Sequence, residues 1–343
     1  MSADPEPASY VLPFRADGDG EVGELAEYVA KISAIAEVLV VDGSPPREFK
    51  RHAEQFGATI RHLRPDPDLR YAMGKVNGVI TGVRRASNEA IVIADEDVRY
   101  EPPALHEVVK RLGRAELVVP QNYFQPLPWH AQWDTARTLL NRIYTGDRWF
   151  PVGDFPGTLG VRRTFFLDID AYDGDLIFEN LQLMRTIRAA GGKVETALDL
   201  YVRRLPPNTR QFLSQRVRQA YDDFAIPLRM GGFLSIAPVL AGLVFGGRAR
   251  VVVALAIGTM ALAEKGRRRG DGGSVYPASA TLMAPAWIAE RAVCSWLAVG
   301  QRVVRGGTTY RGGVISRAAT SPAELERRYR EAGRLGASKR IAL

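Results

Sequence analysis

The chain has 343 residues, 46% hydrophobic and 24% charged. That is enough for one large domain or two modest ones, and it excludes both a disulfide-stapled miniprotein and extensive disorder. The formal net charge of +8 is unevenly spread: residues 1–230 carry 29 Lys+Arg against 32 Asp+Glu, a net of −3, whereas residues 231–343 carry 17 against 6, a net of +11. A basic, apolar C-terminal third therefore follows a nearly neutral part, a pattern that suits nucleic acid or an anionic membrane face. Cys294 is the only cysteine, which excludes an intrachain disulfide and a cysteine metal cluster. Met1 to Tyr10 holds Asp4, Glu6 and two prolines and lacks the basic and apolar regions of a signal peptide, so the soluble part is expected to stay in the cytoplasm.

The first 120 residues alternate short apolar runs with amphipathic stretches. Strands are predicted at Tyr10–Phe14, Val38–Val41, Ala58–Leu63, Ile91–Ala94 and Leu117–Pro120, and helices at Glu21–Ala36, Arg47–Phe56, Lys75–Ala86 and Pro103–Leu112. Continuous apolar strands separated by helices are what a parallel sheet covered on both faces requires. The expected fold is α/β, a doubly wound, mostly parallel Rossmann-like sheet with ligands at the carboxyl ends of its strands. Residues 121–160, with Trp129, Trp133, Trp149 and several prolines, read as an excursion over the sheet. Helices are predicted again at Leu176–Ala190, closed by Gly191-Gly192, and at Asn208–Ala225.

Residues 231–263 are interrupted by charge only at Arg248 and Arg250, which suits a hairpin of two short apolar helices, two-pass or re-entrant. Tyr276–Val299, with Trp287 and Trp296 and broken by Glu290-Arg291, suits an interfacial helix. Thr308–Ile315 resembles a β-hairpin, and the tail from Ser321 is helical or disordered. The expected division is 1–228 for a catalytic domain, 229–304 for a membrane-associated helical region and 305–343 for a basic hairpin and tail.

Asp95-Glu96-Asp97 directly follows a predicted strand, where hard oxygen ligands can hold Mg²⁺ or Mn²⁺ against a diphosphate. Asp42 ends another strand, where its carboxylate can accept hydrogen bonds from a base or ribose or close an Asx-turn in Asp42-Gly43-Ser44. Lys75 opens a helix, within reach of phosphate or of solvent alone. His52, His62 and His106 have no evident partners, which disfavours a histidine metal or triad site.

Taken in order, Val11-Leu12-Pro13-Phe14-Arg15, Val40-Val41-Asp42-Gly43-Ser44, Gly74-Lys75 through Asn77 and Gly82, and Ala94-Asp95-Glu96-Asp97 resemble the nucleotide-sugar half of inverting family 2 glycosyltransferases. Glu179-Asn180-Leu181 occupies the place of that family's Glu-Asp segment, and Gln215-Arg216-Val217-Arg218-Gln219 resembles its Q-x-x-R-W motif. The tail, with Tyr310-Arg311-Gly312 after the apolar segments, is similar to lipid glycosyltransferases such as ceramide glucosyltransferases.

The resemblance implies a GT-A fold. It also implies nucleotide-sugar contacts from Pro13, Arg15, Asp42, Lys75, Asp95 and Arg162, a metal on Asp95 and Asp97, and leaving-group stabilisation by Gln215 and Arg218. Asn180 stands where the family has its catalytic aspartate, and an amide takes no proton from an alcohol. Glu179 is therefore the candidate base, with Asp175 behind it. Gln219 replaces the motif's tryptophan, which favours single addition over polymerisation. Gly157–Arg163 can border the donor, and Trp129 and His130 can line an acceptor site or pack within a loop.

The expected activity is transfer of one sugar from a UDP- or GDP-sugar to a lipid- or polyprenyl-linked or membrane-proximal hydroxyl, at the cell membrane with the catalytic part facing the cytoplasm. Two alternatives stand beside it. A sugar-nucleotide nucleotidyltransferase is disfavoured by the acidic Arg15–Gly20 segment, which would repel a triphosphate. A catalytically impaired nucleotide-sugar-binding scaffold is motivated by Asn180. Nucleic acid is not an expected partner, because the basic residues coincide with apolar helices.

Overall fold

A computed structural model describes residues 7–16, 22–145, 156–169 and 173–332. Trp149, Asp17–Gly20 and residues 333–343, on which parts of the sequence reading fall, lie outside the described residues. The chain divides by contact into two compact units. The first comprises residues up to Pro120, Pro156–Val202 and the segment from Thr320 onward; the second comprises the described residues of Gln121–Phe155 and Arg203–Ala319.

The first unit begins with β1 (Ala8–Phe14), α1 (Gly23–Ile32), β2 (Glu37–Asp42), α2 (Pro46–Phe56), β3 (Arg61–Leu63), α3 (Gly74–Arg85), β4 (Ala90–Ala94), β5 (Val98–Arg99) and α4 (Pro102–Leu112). After β6 (Leu117–Phe124) the chain enters the second unit for α5 (Trp129–Arg142) and returns for β7 (Thr158–Arg162), α6 (Arg163–Asp168), α7 (Glu179–Ala189) and β8 (Val194–Arg204). One eight-stranded sheet results, in the order β3-β2-β1-β4-β7-β6-β8-β5. β3, β2, β1 and β4 are parallel; β7 runs antiparallel to both β4 and β6. The predicted parallel strands are present. The antiparallel β7, the long β8 and the helix α5, in a region read as an irregular excursion, are additions.

Alternation along β1 explains the two layers. Tyr10, Leu12 and Phe14 join a buried cluster with Leu25, Val29 and Ile32 of α1 and Leu105, Val108 and Leu112 of α4. Val11 and Pro13 face α3 instead. A Cβ at Gly82 would lie 2.2 Å from Val11 Cγ1, and one at Gly78 would lie 2.8 Å from Pro13 Cβ. Glycines four residues apart thus let α3 lie directly on β1.

The second unit contains α5, α8 (Thr209–Tyr221), α9 (Pro227–Phe245), α10 (Ala249–Arg268), α11 (Ala284–Arg305) and the hairpin of β9 (Thr308–Tyr310) and β10 (Gly313–Ile315). The chain then returns to the first unit as α12 (Pro322–Glu331), whose Tyr329 hydroxyl donates to the Ile169 carbonyl at 2.8 Å. Arg311 and Gly312 both have positive φ, 45° and 84°, as a two-residue type I′ turn requires. α10 meets α5 at backbone distance: a Cβ on Gly266 would lie 1.8 Å from the Leu139 carbonyl oxygen. Two arginines seal this contact reciprocally. Buried Arg142 donates to the carbonyls of Gly266 and Arg269, while Arg269 donates to those of Arg142, Ile143 and Thr145, satisfying helix-end acceptors on both sides. The predicted interfacial segment is a 3₁₀ turn over Ala278–Met283 followed by α11, with Trp287 buried and Trp296 half exposed.

Gly82→Ala tests the α3–β1 contact. Overpacking is expected to cost about 1–3 kcal/mol, more than the ~1 kcal/mol helix-propensity gain from replacing glycine. The urea midpoint should fall. Gly23→Ala, with open space around its Cβ position, should leave it unchanged or raise it.

Candidate functional site

The parallel strands end on one edge of the sheet, and the turn after β4 there carries Asp95 and Asp97. Asp95 is fixed through its backbone, which donates to the Gly157 carbonyl at 2.8 Å, while Val98 N–H donates to the Asp95 carbonyl at 3.0 Å. Gly157 is held next to this turn because β7 pairs antiparallel with β4, placing Thr158 opposite Ala94. Thr158 donates to the Ile93 carbonyl at 2.7 Å, so the buried Tyr100 hydroxyl donates to Thr158 at 2.9 Å. Nothing in the sequence marks Gly157 or Thr158 as a support for the acidic turn.

Lys75 lies in the first turn of α3, and its Nζ is 2.6 Å from Asp95 Oδ1 and 2.9 Å from Glu179 Oε1. All three side chains are partly open to solvent, with 18%, 24% and 15% of their surface exposed. A cation at a helix N-terminus opposes the helix dipole, and the two carboxylates supply the compensating charge. Glu179 itself opens α7, where the dipole favours an anion. The loop before α3 is clamped to the segment before α7: Met73 N–H donates to the Gly174 carbonyl and Ala72 N–H to Asp175 Oδ1, both at 2.9 Å. Asn77 closes the same loop by bonding both the N–H and the carbonyl of Tyr71 at 3.1 Å.

The candidate bases thus divide. Glu179 is at the ion cluster, whereas Asp175 accepts a backbone bond in the clamp. Asn180 donates to the Pro156 carbonyl at 2.9 Å, tying α7 to the segment that leads through Gly157 into β7. An aspartate could not donate that bond, so the amide has a structural use here.

Asp42 is fully buried at the end of β2. Its Oδ1 accepts from Ser44 N–H at 2.8 Å, the Asx-turn alternative, and its Oδ2 accepts from His52 Nδ1 at 2.8 Å and His62 Nε2 at 3.0 Å. Burial by itself would raise the carboxyl, but hydrogen bonds from His62, Ser44 and His52 outweigh it and hold the group well below the usual carboxylate range. Asp42 therefore shapes the β2–α2 turn from beneath and presents no oxygen to a ligand in this conformation. The reading of His52 and His62 as partnerless is corrected. His62 pairs in register with Val40, which makes Asp42 its diagonal neighbour on the next strand. Above them, Phe49 stacks on His62 at 4.1 Å, and the exposed Arg64 guanidinium lies 4.0 Å over Phe49.

Pro13 is half-buried under Gly78, and Arg15 is exposed just past the end of β1. Arg162 is not brought to this edge. It sits opposite Ala90, four residues from the Ala94–Thr158 pair, or about 13 Å along the strand. There its partners are Glu89 at 3.4 Å and Glu116 at 3.9 Å.

Gln215 and Arg218 belong to the second unit, half-buried on α8, with the Arg218 guanidinium 5.8 Å from the Tyr310 ring. Their neighbour Arg216 is the buried one, paired with Asp134 at 2.9 Å. Trp129 packs edge-on and His130 tilted against Phe212 in the same unit, and His130 Nε2 donates to the Pro207 carbonyl at 2.7 Å, the packed alternative.

Among the described residues no cluster of three or more His, Cys, Asp or Glu side chains is set to hold a metal. Asp95 and Asp97 alone still suit Mg²⁺ or Mn²⁺, which bind through one or two carboxylates and take further ligands from water and phosphate. The ammonium on Asp95 marks that oxygen as a place where positive charge is accommodated.

Residues 21–168 match the family model Glycosyl transferase family 2. That span holds Asp42, Lys75, Asp95 and Asp97 and stops short of Glu179. The α/β architecture, with its mostly parallel central sheet, is consistent with a GT-A fold. Among solved structures, the chain is similar to mannosyltransferase PcManGT from Pyrobaculum calidifontis in complex with GDP-Man and Mn²⁺, at 18% identity over 86% of this chain and 88% of that one, with a TM-score of 0.46. No curated protein sequence matches the chain.

Asp42→Asn tests the buried turn. Because the folded carboxyl titrates below its unfolded value, its contribution is complete above about pH 4 and is lost as pH falls toward the folded value. The variant should lose about 1–3 kcal/mol of stability at pH 7. Denaturation midpoints of the two proteins should converge progressively below pH ~4.

Proposed function

We propose that the chain is a metal-assisted, inverting glycosyltransferase that moves one sugar from a UDP- or GDP-sugar to a lipid- or polyprenyl-linked hydroxyl at a membrane surface. The observation that carries this reading is the meeting of Asp95, Lys75 and Glu179 at the carboxyl edge of the sheet, in a chain whose residues 21–168 match the glycosyltransferase family model.

Each group has a distinct task. Asp95 and Asp97 would hold a divalent cation, which when bound would neutralise charge on the diphosphate. Lys75 adds positive charge in the first turn of α3, where helix N–H groups also favour phosphate. Glu179 accepts the proton of the acceptor hydroxyl as its oxygen bonds to the anomeric carbon. The carbon–phosphate oxygen bond breaks on the opposite face, and the nucleoside diphosphate leaves with the electron pair. One displacement without an enzyme nucleophile inverts the centre. Pro13 and Arg15 at the end of β1 are proposed to border the nucleotide, with Asp42 supporting the adjoining turn from below. Arg162 is given no part in the donor site.

The membrane part of the reading rests on surface chemistry in the second unit. α9 has a mean hydropathy of 1.7 over its most apolar 18-residue window, with only 6% of that window buried. Val239, Phe245, Val253, Leu255 and Ile257 all project outward from α9 and α10. α9, at 19 residues, is about 28 Å long, close to the hydrocarbon thickness of a bilayer, whereas α10 has Arg250 in its first turn and Glu264, Lys265, Arg267 and Arg268 toward its end, so that only its middle is apolar. Residues 231–319, the part of the basic third that lies in the second unit, carry 11 Lys+Arg against 3 Asp+Glu, a net of +8 that suits the anionic cytoplasmic leaflet. Ala278–Arg305 also has the length and hydropathy to span, but 39% of its window is buried.

Glu179→Gln and Asp97→Ala should each lower the rate of sugar transfer in detergent by roughly 100-fold or more, the scale of general-base loss. Full activity in both would remove the assignment. Val239→Asp with Ile257→Asp adds about 2.5–3.5 kcal/mol per substitution against insertion. The doubly substituted chain should leave the membrane fraction on flotation; unchanged flotation would contradict membrane insertion.

A further inference from the structure

We propose that Lys75 is an internal counter-ion that keeps a divalent cation off Asp95 until the nucleotide sugar arrives, so that metal and donor enter together. This inference rests on the metal-assisted reading of the site.

The geometry is specific. One ammonium bridges Asp95 Oδ1 at 2.6 Å and Glu179 Oε1 at 2.9 Å. Asp95 is a proposed metal ligand and Glu179 the proposed base, so the same cation restrains both ends of the chemistry. A divalent ion approaching Asp95 without nucleotide meets a positive charge already seated on the oxygen it needs. It also finds few other protein ligands, since no cluster of three acidic or histidine side chains is assembled among the described residues. Displacing Lys75 under those conditions strands the ammonium at a helix N-terminus, where the dipole disfavours it.

A diphosphate removes each obstacle. Its oxygens complete the coordination that two carboxylates leave open, and its negative charge receives the displaced ammonium. As Lys75 turns from the carboxylates to phosphate, Glu179 Oε1 loses a donor and becomes available to the acceptor hydroxyl. Lys75 is therefore a positioning residue: it couples donor occupancy to exposure of the base, and no bond is made or broken at its nitrogen. The loop clamps at Ala72–Asp175 and Tyr71–Asn77 hold α3 fixed, so the exchange needs only side-chain rotation.

The test is Mn²⁺ binding, read from the electron paramagnetic resonance signal of the free ion, to the full-length chain with and without UDP or GDP. The unsubstituted chain should bind Mn²⁺ weakly alone and at least tenfold more tightly with the fitting nucleotide. Lys75→Met should bind Mn²⁺ alone at least tenfold more tightly than the unsubstituted chain and gain less from nucleotide. Lys75→Gln, which keeps a donor without the charge, should behave like Lys75→Met. A damaged fold cannot produce a gain in affinity. If neither variant binds Mn²⁺ more tightly alone, while nucleotide still promotes binding, the counter-ion role is overturned and the metal-assisted reading stands. If no form binds Mn²⁺ even with nucleotide, both fail.

Discussion

One ammonium shared by two carboxylates from distant parts of the chain sets what the rest of the first unit must accomplish. Lys75 comes from α3, Asp95 from the turn after β4 and Glu179 from the start of α7, and the three meet within 2.6 and 2.9 Å. Each partner depends on a separate packing device. Gly78 and Gly82 let α3 lie against β1 closely enough to carry Lys75 to the strand ends. The antiparallel β7 supplies the Gly157 carbonyl that pins Asp95, and Asn180 joins α7 to the same segment. A shift of any of these elements by a few ångströms would separate charges that are useful only together.

At the end of β2, on the other side of β1 from β4, lies a second arrangement of opposite character. Asp42, His52 and His62 form a closed set with no exposed oxygen on the carboxylate, and the stacked Phe49 and Arg64 lie over it. Asp42 and Asp95 both end parallel strands and look equivalent in sequence. The first is buried among donors and organises a turn, whereas the second stays partly open beside a long, rotatable lysine side chain. Position at a strand end is therefore not enough to define a ligand contact; the neighbours decide whether the carboxylate faces inward or toward a ligand.

The parallel strands were legible because runs such as Val38–Val41 and Ile91–Ala94 are continuously apolar, as burial on both faces demands. β7 was not, since Thr158-Leu159-Gly160 contains the glycine that makes room for Val108 of α4 and reads locally as a connection. α5 was obscured because it buries Asp134, Thr135, Thr138 and Arg142 alongside Ala136 and Leu139, which erases the apolar stripe. In the site, Lys75, Asp95 and Asp97 carried a signal through their place at strand and helix ends, and Glu179 through the family resemblance alone. The His52 and His62 partners of Asp42 did not, because His62 reaches it through the register of β3 against β2 and His52 through the packing of α2. Arg162 was misleading for a related reason: an antiparallel strand carries its last residue to the opposite edge of the sheet.

The charge asymmetry of the chain now has a physical location. The basic excess is concentrated in α9–α11, where apolar side chains face outward, while the first unit builds the carboxylate-lined edge. The central claim is that this edge accepts a nucleotide sugar. Thermal unfolding of the detergent-solubilised chain against a panel of UDP- and GDP-sugars, each with and without Mn²⁺, measures this directly. Sugars of one nucleotide are predicted to raise the midpoint in a Mn²⁺-dependent manner, and those of the other to leave it unmoved. An unchanged midpoint across the whole panel, with metal present, would contradict the claim.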